Sequence, residues 1–94
     1  MNKRRLKYCP HGQAHVTVDE YGATTLVSYT TEVITIDPQG WLTCSGTYSR
    51  TIIKHISAFM REYTNLTYYT AKEAYKNNHT INIYTGEIQK LGEG

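Results

Sequence analysis

The residues able to do chemistry are few. Cys9-Pro10-His11 puts two soft ligands close together, and Cys44, His15, His55 and His79 are the other thiol and imidazoles that could join them. A structural zinc site needs two close ligand pairs, usually of the C-x2–4-C or H-x3–5-H kind. This chain offers half of one pair, so no metal is expected. Both cysteines read as free thiols, with Cys44 buried in its strand. Nucleophilic catalysis needs a nucleophile, a base and a third group that orients the base. Nothing in the order of residues marks that third group. No Gly-rich loop is present to cradle a phosphate, and the paired carboxylates Asp19-Glu20 fall in a turn. Neither enzymatic activity nor a cofactor is expected.

The elements that would position these residues are clearer. Between residues 48 and 63, Ile52, Ile53, Ile56, Phe59, Met60 and Tyr63 share one arc at about 100° per residue. Lys54 and Arg61 fall opposite that arc, and His55, Ala58 and Glu62 flank it. This is an amphipathic helix, with Ser49 as N-cap. Tyr48 and Ile53 are placed as a hydrophobic staple across its start, and Asn65 is a stop. His55 lies at the margin of the apolar stripe, where its ring is either half-packed against a sheet or turned toward a partner. Arg50, in the first turn, opposes the helix dipole; a residue set against its local preference is a candidate for an outside contact.

Around this helix the sequence predicts an α+β domain. Residues 1–12 read as an irregular basic tail, 13–91 as the folded unit and 92–94 as a frayed end. Residues 13–18 alternate, with Ala14, Val16 and Val18 on one face. Residues 25–36 read as one long strand whose phase inverts, so that a bulge or bend is expected near residues 29–32. Asp37-Pro38-Gln39-Gly40 has the residues of a type I turn, and residues 41–45 return as a third antiparallel strand. A short helix over residues 71–77 is capped by Thr70, with Ala74 and Tyr75 inward. A strand over residues 80–84 follows with Ile81 and Ile83 inward, then a last strand over 87–91. The expected assembly is a three-stranded meander packed against the main helix and extended by a C-terminal strand or hairpin.

Charge narrows the function classes. The chain has 94 residues, ten Lys and Arg, and eight Asp and Glu. Lys3, Arg4, Arg5 and Lys7 are four of those ten cations, so the rest of the chain is slightly acidic. A protein that grips nucleic acid needs several cations on one face, and in the sequence only the tail supplies a cluster. No apolar run approaches the ~18 residues of a membrane span, and no apolar stretch follows the basic start as in a secretory signal. The cytoplasm is the expected compartment, with both thiols reduced.

Two segments together carry a family resemblance. Ser28-Tyr29-Thr30-Thr31-Glu32-Val33 looks like an S-Y-x-T-x-V pattern. Tyr48-Ser49-Arg50-Thr51 running into Lys54-His55-Ile56 and Phe59 resembles Y-S-x-T-T-x-K-H-I-x-x-F, with Ile52 where a second Thr is usual. The order resembles small uncharacterised proteins of phages and mobile elements in Firmicutes. That resemblance implies a mobile-element protein of a bacterial cell and carries over no catalytic residue. Such a protein is expected to act by binding, and three classes follow. One is an inhibitor of host defence, such as an anti-CRISPR protein docking on an RNA-guided nuclease through Tyr29, Tyr48, Arg50, Lys54, His55, Arg61 and Glu62; exposed tyrosines and a slightly acidic body suit that role. Another is a nucleic-acid-binding accessory protein using Lys3, Arg4, Arg5 and Lys7 with the polar face of the helix. The third is an assembly partner or homodimer pairing through a sheet edge.

Overall fold

The computed structural model describes residues 2–10, 12–45 and 49–91. Seven strands form one antiparallel sheet in sequence order: β1 (Asn2–Arg5), β2 (Ala14–Val18), β3 (Thr24–Ser28), β4 (Thr31–Ile36), β5 (Trp41–Cys44), β6 (His79–Asn82) and β7 (Ile88–Lys90). Two helices, α1 (Arg50–Tyr63) and α2 (Tyr68–Lys76), lie between β5 and β6 in the chain and pack on one face of the sheet. The α+β architecture matches the expectation, with more strands than the meander predicted.

Register explains which residues meet. Val16, Leu26, Ile34 and Cys44 stand opposite one another on neighbouring strands, as do Ile36, Leu42 and Ile81. These form the helix-covered face. Ile56, Phe59 and Met60 of α1 and Ala71 of α2 complete the core, and most of its side chains are wholly buried. Each such Leu, Ile, Phe or Met contributes about 1.5–3 kcal/mol relative to an exposed position. The other face carries Lys3, Thr17, Thr25, Thr35 and Thr43 in one cross-strand row. Its polar character is that of an antiparallel sheet covered on one side only.

Helix α1 has the expected limits. Ser49 Oγ accepts from Ile52 N at 3.2 Å, and the chain turns out at Thr64, whose backbone N and Oγ1 both donate to Met60 O. Asp37 closes the β4–β5 hairpin: Gly40 N donates to its carbonyl at 2.9 Å, while its carboxylate accepts from Gln39 N and Trp41 N. Gly40 has φ +97°, and a methyl group there would sit 2.5 Å from the Tyr84 ring, so the turn needs glycine on both counts.

Several sequence expectations need correction. The segment expected as an irregular tail forms edge strand β1, paired residue for residue with β2. Its charged sequence has no apolar alternation, and such charge is how edge strands avoid further pairing. The single long strand over residues 25–36 is a hairpin: β3 and β4 meet at Ser28 and Thr31, and Tyr29 turns the chain at φ +57°. The phase inversion therefore recorded a reversal of direction. A register shift does exist, but further on, where Val33 is the extra residue between Glu32 and Ile34. Helix α2 starts at Tyr68 with Thr67 as cap residue, three positions earlier than expected, and Tyr75 is exposed where it was expected inward. Tyr48, His11 and the last three residues lie outside the described residues.

Candidate functional site

The β1–β2 connection builds the site. Leu6 is fully buried in the core and anchors this loop under α1. Lys7 N then donates to Glu62 Oε1 at 2.7 Å, and the Arg61 guanidinium lies over the Tyr8 ring, 4.1 Å from its centroid. Arg5 Nη1 donates to Pro10 O at 3.1 Å. Glu62, expected to face a partner, is thus half-buried and engaged with the loop. On the helix-covered side, Arg4 and Glu62 both act on Tyr63: burial and then the Glu62 carboxylate raise its hydroxyl above its ordinary pKa, with Arg4 opposing.

Docking the loop on α1 brings together two cation sets that are about 45 residues apart in the sequence. Three open depressions lie between the outer edge of β1 and β2 and the exposed side of α1. One of about 580 Å³ is lined by Lys3, Arg4, Arg5, His15 and Tyr29 among others. A second, of about 390 Å³, shares Gly12, Gln13 and Tyr29 with it and adds Cys9, Thr51, Lys54 and His55. A third, of about 350 Å³, shares Lys54 and adds Tyr8, Arg50 and Arg61. Neighbouring depressions share lining residues, and the three together, called the furrow below, are lined by six Lys and Arg side chains and, among the described residues, by no carboxylate. Tyr29 and Tyr8 are 54% and 42% exposed and line it, the Tyr8 ring already carrying the Arg61 guanidinium on one face.

Tyr29 holds an unusual backbone conformation for an aromatic residue. The left-handed region costs such a residue about 1–2 kcal/mol, and Tyr29 is fixed there by its N–H donating to Gln13 O at 2.7 Å. That conformation turns the ring toward the furrow, tilted against His55 with centroids 6.1 Å apart.

His55 is the main departure from the expected site. It was placed at the margin of the helical stripe, as a half-packed ring or a partner contact. It is 1% exposed, and its Nδ1 is 2.8 Å from the Oγ of Ser28, itself buried. Burial, then the neighbouring Lys54 ammonium, lowers its pKa below the ordinary value, so the ring is neutral at pH 7. Of the other sequence-predicted residues, Tyr29, Arg50, Lys54 and Arg61 converge on the furrow together with Lys3, Arg4 and Arg5, while Lys7 sits beside the Tyr8 ring. Sequence reasoning missed Cys9, Gly12, Gln13, His15 and Ser28 as neighbours. A signal for Ser28 existed: it opens the S-Y-x-T-x-V segment, His55 sits in the K-H-I segment, and the two segments meet through this hydrogen bond.

The fold and furrow define a small α+β domain with a cation-lined binding surface; among the described residues no three metal-ligating side chains cluster, and no helix is long and apolar enough to cross a membrane. The chain belongs to a family of unknown function, DUF8033, whose model matches residues 8–78. That span runs from the β1–β2 loop to the end of α2. It includes Tyr29, Arg50, Lys54, His55 and Arg61 but not Lys3, Arg4 or Arg5. Neither a curated protein nor a solved structure matches the chain.

Proposed function

We propose that the chain is a non-catalytic binding protein whose furrow takes a single-stranded nucleic acid. The observation that supports this is the set of six cations and two exposed tyrosines that line three neighbouring depressions, with no carboxylate among the described lining residues. Single-strand binders combine such a positive track with aromatic faces on which unpaired bases stack. In the sequence the cations looked divided between a basic tail and an acidic body, which favoured a protein partner. The β1–β2 loop docks on α1 through Lys7 N to Glu62 and through Tyr8 under Arg61, which brings the two cation sets closer than the sequence suggests and supports this reading.

The test is fluorescence anisotropy with a labelled single-stranded oligonucleotide at several salt concentrations. If all six cations neutralise phosphates, log affinity falls with log salt at a slope of about −4, a loss of roughly three hundred-fold between 50 and 200 mM. Replacing Lys3 and Arg5 by Gln flattens the slope by about 1.4. Absence of binding at 50 mM salt, or binding insensitive to salt, overturns the reading.

A second reading keeps the expectation of an inhibitor of host defence that docks on a protein. Its support is a mainly apolar groove of about 610 Å³ on the outer side of the helices, lined by Ile53, Leu66, Tyr68 and Tyr69, with Tyr69 70% exposed. A partner captured through this groove would resist both nuclease treatment and salt, whereas a nucleic acid in the furrow resists neither.

A further inference from the structure

The middle of the furrow holds a thiol and an imidazole that nucleic-acid binding does not use. Cys9 is a free, half-buried cysteine on the β1–β2 loop. A methyl group placed on Gly12 would sit 2.7 Å from His55 Nε2 and 2.9 Å from Cys9 Sγ, so the sulfur and the ring nitrogen border one small space kept open by glycine. Both residues line the same depression, with Lys54, Gln13 and Thr51. His55 is almost wholly buried, and the one side-chain hydrogen bond it makes among the described residues runs from Nδ1 to Ser28. Its Nε2 is left toward the cavity beside the sulfur.

We propose that Cys9 is a reactive thiol, with His55 as its proton acceptor and Ser28 as the residue that positions His55, and that it forms mixed disulfides with anionic low-molecular-weight disulfides. Nucleophilic cysteines sit partly exposed beside a base and cationic groups, and this cysteine has both neighbours. In the tautomer whose Nδ1–H donates to Ser28 Oγ, the lone pair of the neutral ring lies on Nε2. The Cys9 S–H proton passes to Nε2. The thiolate attacks one sulfur of the incoming disulfide, the S–S bond breaks as the Cys9–S–S bond forms, and the departing thiolate takes the proton back from Nε2–H. The Cys9 sulfur is oxidised and the leaving sulfur reduced, with no further oxidant. Lys54 and the cations of the adjoining depression favour a reagent carrying carboxylates. This reactivity stands whether or not the furrow binds nucleic acid.

The chain itself supplies the controls. Cys44 is buried in β5, only 7% exposed, and the same chain unfolded in urea gives the reactivity of a thiol without its surroundings. Folded chain is incubated with glutathione disulfide at pH 7.5 and adducts are mapped by peptide mass spectrometry. We expect Cys9 to react faster than in the urea-unfolded chain by roughly ten-fold, with Cys44 unmodified. Gly12→Ala wedges a methyl group between sulfur and ring on a surface loop, and it should slow Cys9 by a similar factor while leaving the circular dichroism unchanged. Ser28→Ala should slow Cys9 where the chain remains folded, and Ser28→Thr, which keeps the hydroxyl, should restore the rate. A folded chain in which Cys9 reacts no faster than when unfolded, or in which Gly12→Ala has no effect, overturns the proposal.

Discussion

The Ser28–His55 pair joins the β3–β4 hairpin to the middle of α1, and its energetic weight can be worked out before measurement. Both side chains are 1% exposed, and they meet at 2.8 Å. In Ser28→Ala the His55 Nδ1 stays buried with no partner. An unpaired buried polar group costs about 1–3 kcal/mol, so a loss of about 2 kcal/mol is expected at pH 7.5, where the ring is neutral. A domain of this length unfolds with an entropy near 0.2 kcal/mol/K, so that loss lowers Tm by about 10 °C. His55→Leu strands the Ser28 hydroxyl in the same way. Ser28→Ala combined with His55→Leu leaves no polar group unpaired, and apolar replacement of both partners is often close to neutral. The double variant should therefore lose less than the sum of the two singles by at least about 1 kcal/mol. Urea denaturation followed by circular dichroism and Trp41 fluorescence supplies all four corners of the cycle. Additivity within about 0.5 kcal/mol, the ordinary scatter for independent sites, would refute the claim that this bond couples helix to hairpin.

Other outcomes follow from single residues. Because His55 holds its pKa below the ordinary 6.5, the unfolded chain takes up this proton first as pH falls through about 6.5, so its contribution is full above that value and is lost progressively toward the folded pKa; urea midpoints at pH 7.5, 6.5 and 5.5 should fall less steeply in His55→Leu than in wild type, and equal slopes contradict the assignment. Tyr29→Asn places a residue that tolerates the left-handed region at φ +57° and should leave stability unchanged or raise it by up to about 1 kcal/mol, while weakening oligonucleotide binding by the loss of one stacking face, ~1–3 kcal/mol. A fall in both quantities would mean that Tyr29 is there for the fold. Gly40→Ala meets both a positive φ and the Tyr84 ring, whereas Gly22→Ala at φ +91° meets no atom within 4 Å; thermal melts should show Gly40→Ala costing more by at least about 1 kcal/mol, and equal losses would mean that the Tyr84 contact carries no weight.

What the sequence revealed depended on how local the signal was. Helix α1 and the Asp37 turn were legible because a stripe, a cap and a turn signature each lie within a few residues of one another. Strand β1 was not, since Lys3-Arg4-Arg5 reads as a solvated tail until Leu6 is seen to be the buried anchor beside it. The Tyr29 turn was missed because a tyrosine at positive φ violates the residue preferences by which turns are read. Its only trace was the inverted phase of residues 25–36. All six of the furrow's cations were named as candidates, but for two separate surfaces, Lys3, Arg4 and Arg5 for one and Arg50, Lys54 and Arg61 for the other. No periodicity shows that these surfaces are one, because the loop that unites them is held by contacts across 55 residues of sequence, from Lys7 to Glu62.

That same long-range closure explains why the furrow and the His55 pocket occur together. Leu6 must enter the core for β1 to pair at the sheet edge, and its burial draws residues 7–10 across α1. The loop then closes over the one turn of α1 where a histidine replaces an apolar residue against the sheet. A ring at this position needs a polar partner beneath it, which Ser28 supplies, and an opening above it, which Gly12 leaves. Replacing Leu6 by Ala should thus loosen both features at once: a cavity cost of about 2–5 kcal/mol, together with loss of the cation track on its β1 side. Gly12→Ala should alter the pocket while leaving Leu6 in the core and the six cations in place. A Leu6→Ala chain that stays folded and keeps the full salt dependence of oligonucleotide binding would show that the track forms without the anchor, and would separate the two features that this structure joins.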